Sequence, residues 1–440
     1  MGALLRRGMG AVFAAAIAVA LLPSPGATAE LRRYIVVLES GTRPGGVALD
    51  HHSLYGAEVG FVYRHALKGY SAKMTPGTAA IVAADPRVDY VERDLRQRAF
   101  AQTLPTGVDR IDGELSPTAK IDGIDERVDV DIAVLDTGVD LDHPDLNVTS
   151  STKCSGGGPM NNSCTNGAGD DDNGHGSHVA GISGALDNGI GTVGVAPGAR
   201  IHAVKVLDSR GSGYTSWIIA GIDWVTARAS TIEVANMSLG GSGYTASYHT
   251  AVKNSVAKGV VYTVAAGNEA RDVYGADGTF GTSDDTQPAA FPEVSTISAL
   301  ADADGKPGGA AATSTAFSIC TENRDDSMAC FSNFSRNVSN NPVTSAGAKI
   351  DLALPGYRIY STYKSGGYAT VSGTSQAAPH AAGLAALYIA RNGRATSAAG
   401  VYSIRQSLIN GGQSMVGPNG LTTMDDPDAN HENIGWAASL

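Results

Sequence analysis

Residues 128–135, Val-Asp-Val-Asp-Ile-Ala-Val-Leu, form an apolar run that stops on Asp136-Thr137-Gly138. Such a run reads as a buried strand with a carboxylate at its carboxyl end. From here onward, strand candidates at 131–135, 201–206, 232–237, 259–264 and 295–299 alternate with helix candidates at 175–186, 214–227, 245–257, 375–391 and 399–409. That alternation predicts an α/β fold, a parallel β-sheet flanked by helices on both faces. Functional groups in such sheets gather at the carboxyl ends of strands, where Asp136 sits. Two stretches break the rhythm, 270–290 (rich in Gly and Asp) and 301–347 (rich in Ser, Asn and Ala). Both read as surface excursions.

Two further motifs open helix candidates. Asn173-Gly174-His175-Gly176-Ser177-His178 supplies a base, and Gly373-Thr374-Ser375-Gln376-Ala377-Ala378-Pro379 a hydroxyl nucleophile. A serine hydroxyl is a poor nucleophile until a base takes its proton, and a histidine does so best when a carboxylate fixes its tautomer. Ser375 opens a helix, so its backbone N–H and the helix dipole face any developing oxyanion. Read alone, Ser375 is a helix N-cap and Asp-Thr-Gly half of an aspartic dyad. A dyad needs a second such triplet, and none exists. His175 and His178 are three apart, but a metal pair lacks a nearby glutamate base. Gly189-Ile190-Gly191-Thr192-Val193-Gly194 matches G-x-G-x-x-G by spelling only. It follows a helix candidate and not a strand, so nucleotide binding is set aside.

The amino-terminal portion differs. Arg6 and Arg7, the apolar stretch 11–22 and Ala27-Thr28-Ala29 make residues 1–29 an export signal, too short for a membrane span and followed by Pro23 and Pro25. Within 30–100, strand Tyr34–Leu38, a stretch at 62–72, a helix at 78–84 and strand 88–92 make a small α+β unit, marginal alone. It carries ten Lys/Arg against eight Asp/Glu, whereas residues 101–440 carry a net charge of −15. So acidic a body excludes nucleic acid and anionic membranes as partners and suits a secreted, cation-holding protein. A monomer is expected. Four cysteines in an exported chain read as two disulfides. Of three pairings, Cys154–Cys164 and Cys320–Cys330 close short loops most simply.

With acid, base and nucleophile in the order Asp136, His175, Ser375, residues 101–409 resemble the subtilisin-family serine proteases. Residues 30–100 resemble the family's inhibitory prodomain. The resemblance implies a secreted endopeptidase, made as a zymogen, acting on protein and peptide substrates. It implies that Gly211, Ser212 and Gly213 pair with the substrate backbone, facing Ser238, Leu239 and Gly240, with Ala266 and Gly267 as the other pocket wall. Asn268 is implied as the oxyanion-hole amide; its alternative is a Gly-Asn turn. Residues 101–108 look like a mature amino terminus, which puts the prodomain cut at Phe100–Ala101. The family's structural Ca²⁺ would be held by Gln102, Asp145, Leu186, Asn188, Ile190 and Thr192, a mixed oxygen set that suits this ion. Asp272, Asp277, Asp284 and Asp285 offer a second site or merely a solvated loop. Thr215 departs from the tyrosine common in the family. Two rivals stand beside a broad protease preferring large apolar residues before the cut: a narrow processing protease and a catalytically silent binding fold.

Overall fold

A computed structural model describes residues 31–94, 102–156, 164–308, 314–317, 320–323, 325–336, 350–414, 427–428 and 431–440. The expected signal segment, the expected Phe100–Ala101 junction and the side chain of Cys320 lie outside the described residues. The chain divides into two compact units, Met1–Ala99 and Phe100–Leu440.

In the first unit an antiparallel sheet runs in the order Glu58–Tyr63, Gly69–Met74, Arg32–Leu38, Val88–Arg93. Tyr34, Val36 and Leu38 alternate inward, as a half-buried strand requires. Thr75 caps the helix Pro76–Ala83 by accepting from the Thr78 N–H at 3.1 Å. The stretch 62–72 is two strands joined by a bend, not one element. A further helix, Pro44–Tyr55, escapes sequence reading because its inner face includes the buried His51, bonded to Asp85 at 2.9 Å.

The second unit is built on one large sheet. Ile350–Pro355, Ser295–Ala301, Val261–Ala265, Val234–Met237, Asp131–Asp136, Arg200–Lys205 and Val148–Lys153 lie side by side, all parallel. Short segments Asn433–Ile434 and Thr165–Asn166 extend its ends. Residues 132–135 are fully buried, which demands cover on both faces. The helix His175–Gly184 packs on Thr374–Asn392, and Thr215–Thr226 packs on Ala246–Val256. All five strands and five helices expected from the sequence are present, with ends shifted by a few residues.

Val148–Lys153 (Val-Thr-Ser-Ser-Thr-Lys) is too polar to announce itself, and Ile350–Pro355 follows directly on an apparent excursion. The two excursions are corrected. Val273, Tyr274, Asp285 and Ala289 within 270–290 are buried, and Thr286–Gln287 pairs with Gly241–Ser242. Within 301–347, Phe331, Asn333 and Phe334 are buried and Ser327–Met328 joins the main sheet. Their glycines and aspartates mark turns, while the residues between them complete the core. Cys154 and Cys164 form the expected disulfide.

Candidate active site

Strand order across the parallel sheet switches beside Asp131–Asp136: the chain first builds Val148–Lys153 and Arg200–Lys205 on one side and then Val234–Met237 on the other. A crevice opens at such a point, at the strands' carboxyl ends. Asp136 ends its strand there, fully buried, and its Oδ1 meets His175 Nδ1 at 2.8 Å. The same oxygen accepts from the Thr137 N–H at 2.7 Å, so the carboxylate cannot swing away.

His175 is the first residue of its helix and is held by that helix's start. Thr137 Oγ1 accepts from the Gly176 N–H at 3.0 Å and donates to Asp171 at 2.9 Å. Asp171 accepts from the backbone N–H groups of Asn173, Gly174 and Ser177 as well. It thereby closes the helix's open donors with a carboxylate at the positive end of the dipole. Burial alone would raise the Asp171 pKa, but the Ser177 hydroxyl and these N–H groups overcome it and hold the carboxyl below its usual range. A Cβ at Gly176 would lie 2.0 Å from the Gly138 carbonyl, so only glycine lets helix and aspartate loop approach this closely. For His175, burial favours the neutral ring. The Asp136 charge and hydrogen bond, with a smaller contribution from Asp171, outweigh it and raise the pKa above the ordinary histidine value. His178 is buried and meets the carbonyls of Ile359 and Ala369, which makes it a packing residue.

Ser375 stands in the first turn of Thr374–Asn392, whose N-cap residue, Gly373, has no side chain to offer. Its hydroxyl donates to the Ser238 carbonyl at 3.2 Å, and the Ser238 hydroxyl donates to the Ser375 carbonyl at 2.7 Å. His175 and Ser375 line one cleft. The Ser375 hydroxyl is bonded to Ser238 and not to the imidazole; catalytic hydrogen bonds are often unmade in substrate-free sites. Asn268 Oδ1 accepts from the Thr374 N–H at 2.8 Å and from the Thr374 hydroxyl at 3.0 Å. Its Nδ2 has no partner among the described residues and faces the pocket that Ser375 also lines.

Gly211, Ser212, Gly213, Ser238, Leu239 and Gly240 all line the cleft that holds His175 and Ser375. Leu239, Gly240, Gly241, Ala265 and Gly267 wall the adjoining pocket. Ala266 is fully buried behind that wall, so Ala265 takes the place expected of it. Sequence reasoning missed Asn333. It is fully buried, accepts from the N–H groups of Glu269 and Arg271, and donates to the Ala266 carbonyl and to Glu269.

Several of the residues expected to hold calcium lie close together. Gln102 Nε2 lies 3.3 Å from the Leu186 carbonyl and 3.4 Å from the Thr192 carbonyl. Gln102 Oε1 accepts from the Gly189 N–H, and Asn188 Oδ1 from that of Ile190. Asp145 is fully buried, with Oδ2 accepting from the Thr192 N–H and Oδ1 lacking a partner among the described residues. Burial pushes its carboxyl up to about 7 despite hydrogen bonds from the Thr192 N–H and the Tyr368 hydroxyl. A buried carboxylate oxygen with nothing to neutralise it, beside convergent carbonyls, fits a hard cation. The acids of 270–290 instead bond nearby backbone N–H groups, as when Asp277 accepts from Thr279 and Asp284 from Ala276.

A histidine bonded to a buried carboxylate and a serine hydroxyl lining the same cleft are groups suited to acyl transfer. The profile described as "Subtilase family" matches residues 128–430, and that of "Peptidase inhibitor I9" matches residues 33–99. Subtilisin E of Bacillus subtilis (strain 168) is 38% identical over 314 residues, covering 71% of this chain and 68% of its own. M-protease of Shouchella clausii (strain KSM-K16) is 32% identical over 322 residues, covering 73% and 69%. Among solved structures, "S41 Psychrophilic Protease" superposes with a TM-score of 0.58 at 30% identity, covering 77% of this chain and 99% of that one.

Proposed function

This chain belongs to the subtilase family of serine endopeptidases, and from that premise we propose that it is a secreted, calcium-stabilised protease that cuts proteins through the triad Asp136, His175 and Ser375. The observation that carries the reading is the His175–Asp136 bond at 2.8 Å, in one cleft with Ser375, which also lines the adjoining pocket of Asn268. In the first step His175 Nε2 takes the hydroxyl proton as Ser375 Oγ attacks the scissile carbonyl. The oxyanion forms between Asn268 Nδ2 and the Ser375 N–H. The tetrahedral adduct then expels the amine, which leaves with the proton from His175. A water, deprotonated by the same imidazole, cleaves the acyl ester and restores the hydroxyl. Asp136 holds the ring and stabilises the imidazolium throughout. The glycine-rich pocket walls support broad specificity with large apolar residues before the cut.

Bound Ca²⁺ would supply structural cross-linking, with Asp145, Gln102, Asn188 and the carbonyls of Leu186, Ile190 and Thr192 as its ligands. Residues 30–100 act as an inhibitory prodomain, which the peptidase-inhibitor match supports. Secretion rests on the signal-like residues 1–29. No described helix is long and apolar enough to cross a membrane. Purified wild type should clear casein and Ser375→Ala should not. Equal clearance by both overturns the assignment.

A further inference from the structure

One cation in the substrate pocket is left without a counter-charge. Arg271 lines the pocket together with Leu239, Gly240, Asn268 and Ser375. Its Nη2 donates only to neutral hydroxyls, Ser242 Oγ at 2.8 Å and Thr286 Oγ1 at 3.2 Å. Its Nε is buried and unpartnered, and its Nη1 makes no hydrogen bond among the described residues. No described carboxylate lies within ion-pair distance of this guanidinium. The two hydroxyls fix its place, because Ser242 and Thr286 face each other across the paired strands Gly241–Ser242 and Thr286–Gln287.

Glu269 is the other charged group of the pocket. Its Oε2 is already engaged by the Asn268 N–H at 3.0 Å and by Asn333 Nδ2 at 3.0 Å, and the residue is exposed to water. Water screens its field. Arg271, partly buried, keeps unused donors. A guanidinium with free donors is complementary to a carboxylate and repels a cation.

We propose that Arg271 is a specificity-determining residue that lets the pocket take a glutamate side chain before the scissile bond, beside large apolar ones, and reject lysine and arginine there. The apolar walls would hold the glutamate methylenes while Arg271 meets the carboxylate. This rests on the protease reading above and narrows its substrate class. It also runs against the rival of a processing protease for basic residues.

The test is a tetrapeptide anilide series with Phe, Glu, Gln or Lys before the cut, assayed on the mature enzyme. Glu and Gln share shape and differ in charge, so their ratio isolates the electrostatic contribution. Wild type should favour Glu over Gln by about tenfold in kcat/KM at low salt, with Lys the poorest substrate. The preference should shrink as sodium chloride rises. Arg271→Gln should bring the Glu/Gln ratio to one or below, and Arg271→Glu should raise Lys above Glu. A wild-type ratio of one or less, or a ratio that Arg271→Gln leaves intact, overturns the proposal. Should the variants not fold, the wild-type ratio and its salt dependence still decide. Cleavage of Phe without a Glu preference sinks this proposal alone, whereas no cleavage of any member sinks the protease reading with it.

Discussion

Asn333 Nδ2 donates to the Ala266 carbonyl at 2.9 Å, tying a buried loop to the back of the substrate pocket. The same side chain accepts from the N–H groups of Glu269 and Arg271, so one amide spans the wall on both sides of Asn268. Gly267, at φ +109°, sits so close that a Cβ there would lie 2.3 Å from Asn333 Nδ2. Asn333→Ala leaves buried N–H and C=O groups unsatisfied, each costing about 1–3 kcal/mol. The melting temperature of the mature enzyme should fall by several degrees and kcat/KM should drop with it. Differential scanning calorimetry and a peptide anilide assay measure both. A variant indistinguishable from wild type in the two would remove Asn333 from the account of the pocket.

The proposed oxyanion donor should make a separable contribution. Asn268 is anchored through Oδ1 to Thr374, which leaves Nδ2 to act only when charge develops on the substrate oxygen. Asn268→Leu should therefore lower kcat by about 10²–10³ while KM changes little. A loss carried mainly by KM would mean that the amide binds ground-state substrate instead.

Activity and stability should respond to pH in opposite senses through His175. The ring must be neutral to accept the Ser375 proton, so kcat/KM should fall with falling pH through a pKa above the ordinary histidine value. The folded-state pKa is the raised one. The imidazolium–Asp136 pair therefore stabilises the fold fully below the unfolded histidine pKa, and that contribution disappears as pH rises through the folded value. Asp136→Asn should depress kcat and move the acid limb to lower pH. A pH–rate profile whose acid limb stays put in Asp136→Asn would contradict the assignment of that limb to His175.

Calcium should raise the melting temperature, because an ion bound only by the folded chain stabilises it by mass action. At a hundredfold excess over its dissociation constant the gain is about 2.7 kcal/mol. Asp145→Asn keeps the shape but removes the charge, and should abolish most of the difference between calcium and EGTA scans. Superimposable scans for the wild type would show that the unpartnered Asp145 oxygen serves no cation.

Much of this architecture is legible in the sequence, because buried parallel strands and catalytic motifs both write themselves locally. Asp136, His175 and Ser375 each end or begin an element, so their neighbours announce them. The ligand set around Asp145 is legible only through resemblance, since its members are spread over three segments. What stays hidden is long-range. Asn333 lies in a stretch whose composition marks a loop, and its partners are more than sixty residues away. Asp171 does carry a signal, an acid just before the helix that His175 opens, which is where a capping carboxylate belongs. Arg271 has none, because its surroundings are set by two short strands that pair only in the folded chain.

Maturation supplies the last prediction. The expected junction Phe100–Ala101 places a large apolar residue before the cut, which the walls of Leu239, Gly240, Ala265 and Gly267 would accommodate. If the enzyme cuts itself there, cleavage depends on its own nucleophile. Ser375→Ala should accumulate as a chain still carrying residues 30–100, while wild type should begin at Ala101. Intact-mass and amino-terminal sequencing of the two secreted proteins distinguish these outcomes. The Arg271 reading adds a refinement: Phe100→Glu should still be processed, whereas Phe100→Lys should slow processing markedly. Cleavage of the Ser375→Ala chain at the same bond, in a host lacking other proteases of this type, would show that another enzyme makes the cut.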